Sequence, residues 1–233
     1  GKCRYNTPAM RPNRLNYIDS IDERGFAIVP SLLDAATVER FLRAAEKAAP
    51  MGVARDDAVF AVRNLAETVP EIVDILELSA VRRLVEPVLG DGAFAVRATL
   101  LDKLPGANWH VGWHQDRIIP VAERLNATGF CGWSIKAGIP HCKPPAEIQE
   151  RMLAVRLHLD DCPLENGALV VMPGTHLQGE LSSEEISAIL DNELPEPCPV
   201  RRGGAVVMRP LLLHASFSSS TPAHRRVSAP SPP

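Results

Sequence analysis

The sequence predicts a mainly β domain, a barrel or sandwich with flanking helices that lie mostly in the N-terminal part of the chain. Helical periodicity dominates the first 92 residues, whereas short strand-like runs separated by glycine and proline follow from residue 93. The chain lacks the G-x-G-x-x-G motif of a dinucleotide-binding parallel sheet. At 233 residues, it is long enough to bury a sizeable core as one domain.

Two helical regions precede the strands. In AATVERFLRAAEKAAP the apolar residues recur at helical spacing, Asp34 can cap the start and Pro50 ends the run. The second region extends from about residue 70 to residue 89, with a break near Ser79 and a C-terminal stop at Gly90. The apolar positions of the second region predict that it packs against something flat.

The predicted strands lie in AFAVRATLLDKL, RMLAVRLHLDD, GALVVMPG and GGAVVMRPLLLHASF. The second of these alternates with a period of two, which places Arg156 and His158 on one face and Leu157 on the other. A short helix is predicted in SSEEISAIL, which begins with a capping-box pattern. Residues 117–149 contain too many glycines and prolines for one long element, so we interpret them as a lid or substrate loop, or as a disordered connector.

Composition and charge favour a small-molecule partner. The chain has 25 basic and 28 acidic residues, a net charge of −3, and no long run of like charge, which argues against binding to nucleic acid or to an anionic membrane. Its five cysteines form no C-x-x-C pair, and their odd number argues against a fully paired disulfide framework. With a polar N-terminal segment and no apolar run approaching ~18 residues, we expect a cytoplasmic protein. The oligomeric state cannot be inferred from these features.

The stretch NWHVGWHQDRIIP contains the first candidate metal ligands. His114 and Asp116 are two residues apart, so in an extended chain both side chains project from the same face. Taken alone, H-x-D is weak, because such pairs more often lie at a surface or hydrogen-bond to each other. His214, at the end of a late strand in LLLHAS, is the best third candidate. Two histidines and one carboxylate form the facial triad of non-haem Fe(II) oxygenases, which leaves three coordination positions open.

Ser216 and Arg225, which both follow His214 in the sequence, could bind an oxoacid. An oxoacid that chelates iron through its 1-carboxylate and keto oxygen needs a cation and hydroxyl groups for its distal carboxylate. Arg225 offers a planar bidentate donor, and Ser216 can donate one more hydrogen bond. The alternative interpretation of Arg225 is a solvated basic residue near the end of the strand region.

Four further residues are candidates for the substrate pocket. If their face looks into the barrel, Arg156 and His158 would line the pocket and could bind co-substrate or a substrate carboxylate. Trp113 adjoins a candidate ligand and could form a wall of the pocket, although a core position is the commoner role for tryptophan. Lys103 could reach the far end of the oxoacid or could be an ordinary surface lysine.

The chain resembles the phytanoyl-CoA dioxygenase family of Fe(II)- and 2-oxoglutarate-dependent oxygenases. The segments that carry the resemblance are RGFAIVPSLLDAATVERF, WHQD, LHLDDCPLENGALVVMPGTHLQGEL and GGAVVMRPLLLHASFSSSTPAHRRV. The resemblance implies a double-stranded β-helix, a cupin-like jelly roll with helices packed outside. It also implies Fe(II), 2-oxoglutarate and O2 as cofactors and co-substrates, with His114, Asp116 and His214 as the catalytic iron ligands and with Arg225 and Ser216 at 2-oxoglutarate.

The resemblance also suggests the domain limits and the reaction. We expect a single oxygenase-like domain over residues 1–233, with mainly helical support in 1–92, the β-helix core in 93–227, the insertion loop at 117–149 and a tail at 228–233. Related halogenases have a small residue where this chain has an aspartate ligand, so hydroxylation of a small molecule is favoured. Neither the identity of the substrate nor a coenzyme A thioester follows from the likeness.

The C-terminal sequence leaves two alternatives open. RRV is followed directly by SAPSPP, whose prolines cannot pair in a central strand, so we expect that the barrel lacks a strand or that another segment covers that edge. A missing strand favours, as an alternative, a non-catalytic jelly-roll protein that binds a metal or metabolite and has lost turnover.

A hydrolytic zinc site with the same three ligands is the third possible function, although Arg225 and Ser216 have no evident task in it.

Overall fold

The fold is built from short antiparallel strands in two main sheets, with the N-terminal helices packed against the major sheet and a later helix packed against the minor one. The structure, a computed structural model, describes residues 17–48, 53–55, 58–62, 65, 69–76, 78–103, 108–124, 126–136, 138–220 and 224–228.

The described helices lie mostly in the N-terminal part of the chain, as the sequence predicts. They are α1 (Tyr17–Arg24), α2 (Ala35–Ala48), α3 (Pro70–Leu76), α4 (Ser79–Leu89), α5 (Ala146–Gln149) and α6 (Ser183–Asn192). The predicted caps are present: the Asp34 carboxylate accepts from the Thr37 amide at 2.7 Å, and Ser182 and Glu185 form a capping box.

The strands form a jelly roll, which confirms the predicted fold class. They are β1 (Phe26–Val29), β2 (Val53–Arg55), β3 (Ala58–Val62), β4 (Leu100–Lys103), β5 (Val111–His114), β6 (Ile119–Pro120), β7 (Cys131–Lys136), β8 (Ile139–Lys143), β9 (Ala154–His158), β10 (Leu169–Val171), β11 (Glu196–Cys198), β12 (Ala205–Met208), β13 (His214–Ser216) and β14 (Arg225–Ser228). The major sheet has the order β1-β12-β9-β14-β4-β3-β2, and the minor sheet has the order β11-β10-β13-β5.

The major sheet has a helix-covered outer face and an inner face that looks toward the minor sheet. On β9, Val155 and Leu157 pack into the cluster that contains the helix residues Phe41 and Ile72. Ala154, from the same strand, belongs instead to a cluster shared with strands of the minor sheet. Because side chains alternate along a strand, Arg156 and His158 lie with Ala154 on the inner face. The predicted alternation therefore holds.

The C-terminal strand is present, which corrects the expectation that the barrel lacks a strand at this edge. β14 lies inside the major sheet and pairs with both β4 and β9. The Arg226 guanidinium donates to the carboxylate of Asp160 from Nε and Nη2, each at 2.8 Å, and its amide donates to the same carboxylate at 2.9 Å. Four residues are within the usual length of a strand, and the first proline of the tail, Pro230, comes only after these four.

The N-terminal 92 residues contribute more than helical support. β1 pairs with β12 from Phe26↔Met208 to Val29↔Ala205 and forms one edge of the major sheet. β2 and β3 extend the sheet at its other edge, where β3 pairs with β4. The predicted boundary at residue 92 therefore separates parts of the chain that share one sheet.

The insertion at 117–149 is a folded element, so its interpretation as a disordered connector is wrong for the residues described. β6, β8 and β7 form a separate antiparallel sheet, and α5 follows it. The glycines that suggested a loop make its turns, since Gly129 and Gly138 have φ of 84° and 79°. Nζ of Lys143, on β8 of this sheet, donates to Oε2 of Glu180 at 2.9 Å.

Disulfides and membrane-spanning helices are both absent from the described residues. The cysteines that the structure describes, Cys131, Cys142, Cys162 and Cys198, are all free thiols. Within the same described ranges, no helix combines the length and the apolarity that a bilayer span requires. Location in the cytoplasm stays a prediction.

Candidate metal centre

Strand pairing brings the three candidate ligands together. His114 ends β5 and His214 begins β13, and the two residues are paired across the minor sheet. Asp116 follows two residues after β5, where its amide donates to the carbonyl of Pro210 at 2.9 Å. Two segments about a hundred residues apart in the chain thus meet at one end of the barrel.

The distances between the three side chains suit one divalent ion. His114 Nε2 lies 3.6 Å from one carboxylate oxygen of Asp116, and His214 Nε2 lies 3.6 Å from the other. Two donors that each lie about 2.1 Å from a common ion are separated by about 3.0 to 4.2 Å, depending on the angle between them. One ligand atom from each residue lies within 4.8 Å of the other two. The donor set of two imidazoles and one carboxylate fits ferrous iron.

Backbone carbonyls fix the orientation of both imidazoles. Nδ1 of His114 lies 2.8 Å from the carbonyl of Gly112, and Nδ1 of His214 lies 2.8 Å from the carbonyl of Leu212. Because a carbonyl can only accept, Nδ1 carries the proton in each ring and Nε2 keeps its lone pair. Both Nε2 atoms then face the shared carboxylate as potential ligands, which is the arrangement typical of metal-binding histidines.

The charges in the site favour ligands in the form that binds a metal. Burial lowers the pKa of His214 to about 3, so this ring stays neutral. Burial alone would raise the pKa of Asp116, but the adjoining imidazoles and the Arg156 guanidinium outweigh it and hold that pKa well below its usual range. His114 differs: burial lowers its pKa, but its contacts with Asp116 and Gly112 outweigh this and leave the pKa above the ordinary value.

The residue between the two ligands of the H-x-D motif holds the loop in place. Gln115 is buried, and its Nε2 donates to the carbonyls of Gly179 and Leu211, each at 2.7 Å. Its Oε1 accepts from the amide of Leu181 at 2.9 Å. This residue was missed from the sequence, because its role depends on backbone groups that come from distant parts of the chain.

Lys103 and Ser216 form a second polar cluster on the inner side of the barrel. Lys103 is 1% exposed, and its Nζ donates to Oγ of Ser216 at 3.0 Å and to the carbonyl of Phe217. Ser216 Oγ donates to the carbonyl of Gly167 at 3.1 Å. Gly167 has φ of 68°, and a Cβ there would come within 2.9 Å of the lysine Nζ, so the turn requires glycine. The interpretation of Lys103 as a surface lysine is therefore wrong.

Arg225 is placed beside this cluster by strand register. Its backbone pairs with Lys103 across β14 and β4, so the two residues share one face of the major sheet. The side chain of Arg225 lies outside the described part of the structure. Its neighbour Arg226 alternates to the other face, where it pairs with Asp160.

Of the remaining pocket candidates, two lie on the inner face and one does not. Arg156 reaches the triad, with Nη2 3.3 Å from Asp116 Oδ2, and His158 is buried on the same strand face. Trp113 packs instead against the cluster that includes Leu213 and lies next to α6. It alternates with His114 along β5, so its ring lies on the opposite face of the minor sheet. We therefore leave Trp113 out of the proposed pocket.

A family model and solved structures match this chain. The model of the phytanoyl-CoA dioxygenase (PhyH) family matches residues 21–227. Among curated protein sequences, none matches at a significant level. AviO1 from Streptomyces viridochromogenes Tue57 is 22% identical, with a TM-score of 0.66 and coverage of 93% of this chain and 92% of AviO1.

Two further structures were solved with ligands. The epimerase SnoN, in complex with Fe3+, α-ketoglutarate and nogalamycin RO, is 16% identical, with a TM-score of 0.68 and coverage of 93% of this chain and 81% of SnoN. EctD from S. alaskensis, with 2-oxoglutarate and 5-hydroxyectoine, is 16% identical, with a TM-score of 0.70 and coverage of 91% of this chain and 73% of EctD. At these identities the likeness shows a shared fold.

Replacing Gln115 by alanine is expected to weaken metal binding. The substitution removes the hydrogen bonds that fix the loop between the two ligands, and loss of such supporting contacts typically costs about 10- to 100-fold in metal affinity. We expect at least a roughly tenfold weaker affinity for Mn2+, measured by the electron paramagnetic resonance signal of the free ion. Gln178→Ala, at an exposed position, is the matched control. An unchanged affinity in Gln115→Ala would show that the loop holds its shape without this amide.

Metal affinity is also expected to fall as the pH is lowered, with His114 as the proton-sensitive ligand. Its pKa is raised, whereas the pKa of His214 is about 3 and that of Asp116 is low, so in the neutral range only His114 changes charge. Below its pKa, a metal must displace one proton, so affinity falls about tenfold per pH unit. Mn2+ titrations between about pH 5.5 and 8 measure this slope. A slope near two protons, or no slope, contradicts the assignment.

Proposed function

The chain belongs to the phytanoyl-CoA dioxygenase family, and we propose that it hydroxylates a small molecule at an iron site formed by His114, Asp116 and His214. Family membership confirms the resemblance recognised in the sequence and the enzyme class that it implied, a non-haem iron- and 2-oxoglutarate-dependent oxygenase. Family membership does not establish the iron ligands, the reaction type or the substrate class, which we propose from the site.

One observation carries the assignment of the metal ligands. The three donor groups converge within 4.8 Å of one another, and both imidazoles present an Nε2 lone pair because their Nδ1 atoms donate to carbonyls. A facial set of this composition leaves coordination positions for a bidentate oxoacid and for oxygen. A surface cluster of the same residues would not need fixed ring orientations.

The polar cluster around Lys103 supports a place for the distal carboxylate of 2-oxoglutarate. A buried ammonium group and a buried hydroxyl, Ser216 Oγ, lie 3.0 Å apart. The backbone of Arg225 pairs with Lys103 across β14 and β4, and we propose that its guanidinium is a second cation for this carboxylate. Ser216 also follows His214 by two residues on β13, which puts this cluster on the same side of the minor sheet as the metal ligands.

The solved relatives are in keeping with a small-molecule substrate. SnoN was crystallised with an iron ion, α-ketoglutarate and a nogalamycin compound, and EctD with 2-oxoglutarate and 5-hydroxyectoine. By analogy, we propose that this chain takes iron and 2-oxoglutarate in the barrel and a small organic molecule beside them. The composition, with few aromatic residues (5%), does not favour a stacking platform for a planar substrate.

When bound, iron and 2-oxoglutarate supply the oxidising chemistry, in which the oxoacid is decarboxylated to succinate and a C–H bond of the substrate is hydroxylated. The protein contributes geometry and charge. His114 and His214 offer nitrogen donors of fixed orientation, and Asp116 offers one negative charge.

The aspartate favours hydroxylation as the outcome. Asp116 is held in place by the hydrogen bond from its backbone amide to the carbonyl of Pro210 and by its contacts with both imidazoles. By the family resemblance, it occupies the position where related halogenases have a small residue and bind chloride. The alternative of a non-catalytic binder rested on a missing strand, and β14 removes that reason. Formation of succinate distinguishes the two functions, because a pure binder forms none.

Anaerobic spectroscopy tests the proposed site. Addition of Fe(II) together with 2-oxoglutarate is expected to produce a weak visible charge-transfer band, because the oxoacid chelates the metal through its keto group. His214→Ala removes one ligand and should abolish the band, whereas the exposed variant Gln178→Ala should retain it. Absence of the band in the unmodified protein at saturating concentrations of both components would refute the proposal.

Lys103→Met tests the site for the distal carboxylate. Methionine fills a similar volume but cannot donate, so a charge-assisted hydrogen bond worth about 1.5–3 kcal/mol is lost. We expect the KM for 2-oxoglutarate to rise by about 10- to 100-fold with a smaller change in kcat, measured by succinate formation. Lys143→Met, which removes a lysine from the insertion sheet, is the control. If both variants keep the original KM, Lys103 has a purely structural role.

A further inference from the structure

Arg156 is a cation placed against the metal ligands. Its side chain projects from the inner face of β9 and is only 15% exposed. Nη2 lies 3.1 Å from Nε2 of His214 and 3.3 Å from Oδ2 of Asp116. The guanidinium therefore contacts two of the three residues that we propose as iron ligands, and it does so at the atoms that face the ion.

The contact with His214 places arginine and metal in competition. Nδ1 of His214 donates to the carbonyl of Leu212, so the lone pair on Nε2 is what accepts from Arg156. A metal ion would bind that same lone pair, and one lone pair does not serve both partners. The positive charge of the guanidinium also repels a divalent ion at short range. For both reasons, a metal that binds alone must displace this group and remain close to its charge.

A dianionic co-substrate reverses this effect. A divalent ion with one aspartate and one arginine carries a net charge of about +2, and 2-oxoglutarate with two negative charges compensates it. Nε of Arg156 is buried and has no hydrogen-bond partner within the described residues, so it can donate to a carboxylate oxygen. The planar donor edge of arginine matches a carboxylate in shape.

We propose that Arg156 couples the binding of metal and co-substrate. It weakens the binding of a divalent ion alone and then binds the carboxylate next to the keto group of 2-oxoglutarate, so each component binds more tightly in the presence of the other. This inference rests on the proposed function. Arg156 then acts as a positioning residue, so that the site binds metal and oxoacid together rather than metal alone.

The test is the coupling factor, which is the Kd of Mn2+ without 2-oxoglutarate divided by the Kd with saturating 2-oxoglutarate. The titrations use the full chain, and the free Mn2+ in solution is measured by electron paramagnetic resonance. For the unmodified protein we expect a factor of about ten or more. Arg156→Gln removes the charge, so we expect it to bind Mn2+ alone about fivefold more tightly or better and to reduce the coupling factor by about fivefold or more. A smaller reduction, or weaker binding of Mn2+ alone, overturns the inference.

Two further variants make the result independent of folding defects. Arg156→Lys keeps the charge, and we expect its affinity for Mn2+ alone to stay within about threefold of the unmodified protein. Arg209→Gln removes an arginine of similar exposure, 16%, whose side chain is paired with Asp22 and not with a triad residue, and we expect an unchanged factor. If Arg156→Gln does not fold, Arg156→Met replaces it, and the same expected changes apply. If Arg156→Lys binds Mn2+ alone as tightly as the neutral variant does, the inference is overturned.

The experiment separates this inference from the proposed function. If the unmodified protein binds neither Mn2+ nor 2-oxoglutarate, the proposed function fails and the inference fails with it. If it binds both, and Arg156→Gln shows the same coupling factor, only the inference fails. Reciprocity provides an internal check, because 2-oxoglutarate must show the same factor when it is titrated with and without Mn2+.

Discussion

The pairing of β5 with β13 is the interaction on which the site depends. It sets His114 opposite His214, and the loop after β5 then brings Asp116 to the same place. The strands are short, four and three residues, so their position depends on neighbours: β13 also pairs with β10, and Gln115 ties the loop to distant backbone. The chemistry at the mouth of the barrel is thus a consequence of sheet register, and a slip of one residue would turn the imidazoles to the outer face.

The parts of this architecture with a local signal could be predicted from the sequence. Alternation in RMLAVRLHLDD placed Arg156 and His158 on a common face, and caps fixed the starts of α2 and α6. The H-x-D spacing and a late histidine suggested a triad, and the structure brings those three side chains together. The likeness to a known family added what spacing alone could not establish, the jelly-roll fold and the enzyme class.

What could not be predicted depends on long-range pairing. Nothing local in the segment Phe26–Val29 indicates that it pairs with β12, and the glycines of the insertion were compatible with either a loop or a small sheet. The proline-rich tail suggests a missing strand at this edge, although β14 needs only four residues in its central position. The usual exposure of lysine makes a surface position one alternative for Lys103, whereas its burial results from contacts with residues more than a hundred positions away.

Crystals grown anaerobically with Mn2+ and 2-oxoglutarate show, through the anomalous scattering of manganese, whether the three side chains bind one ion. We expect a single strong peak within bonding distance of Nε2 of His114, of Nε2 of His214 and of the carboxylate of Asp116, with the oxoacid chelating the same ion. A peak at another place, or an ion that contacts only one of these residues, would contradict this expectation.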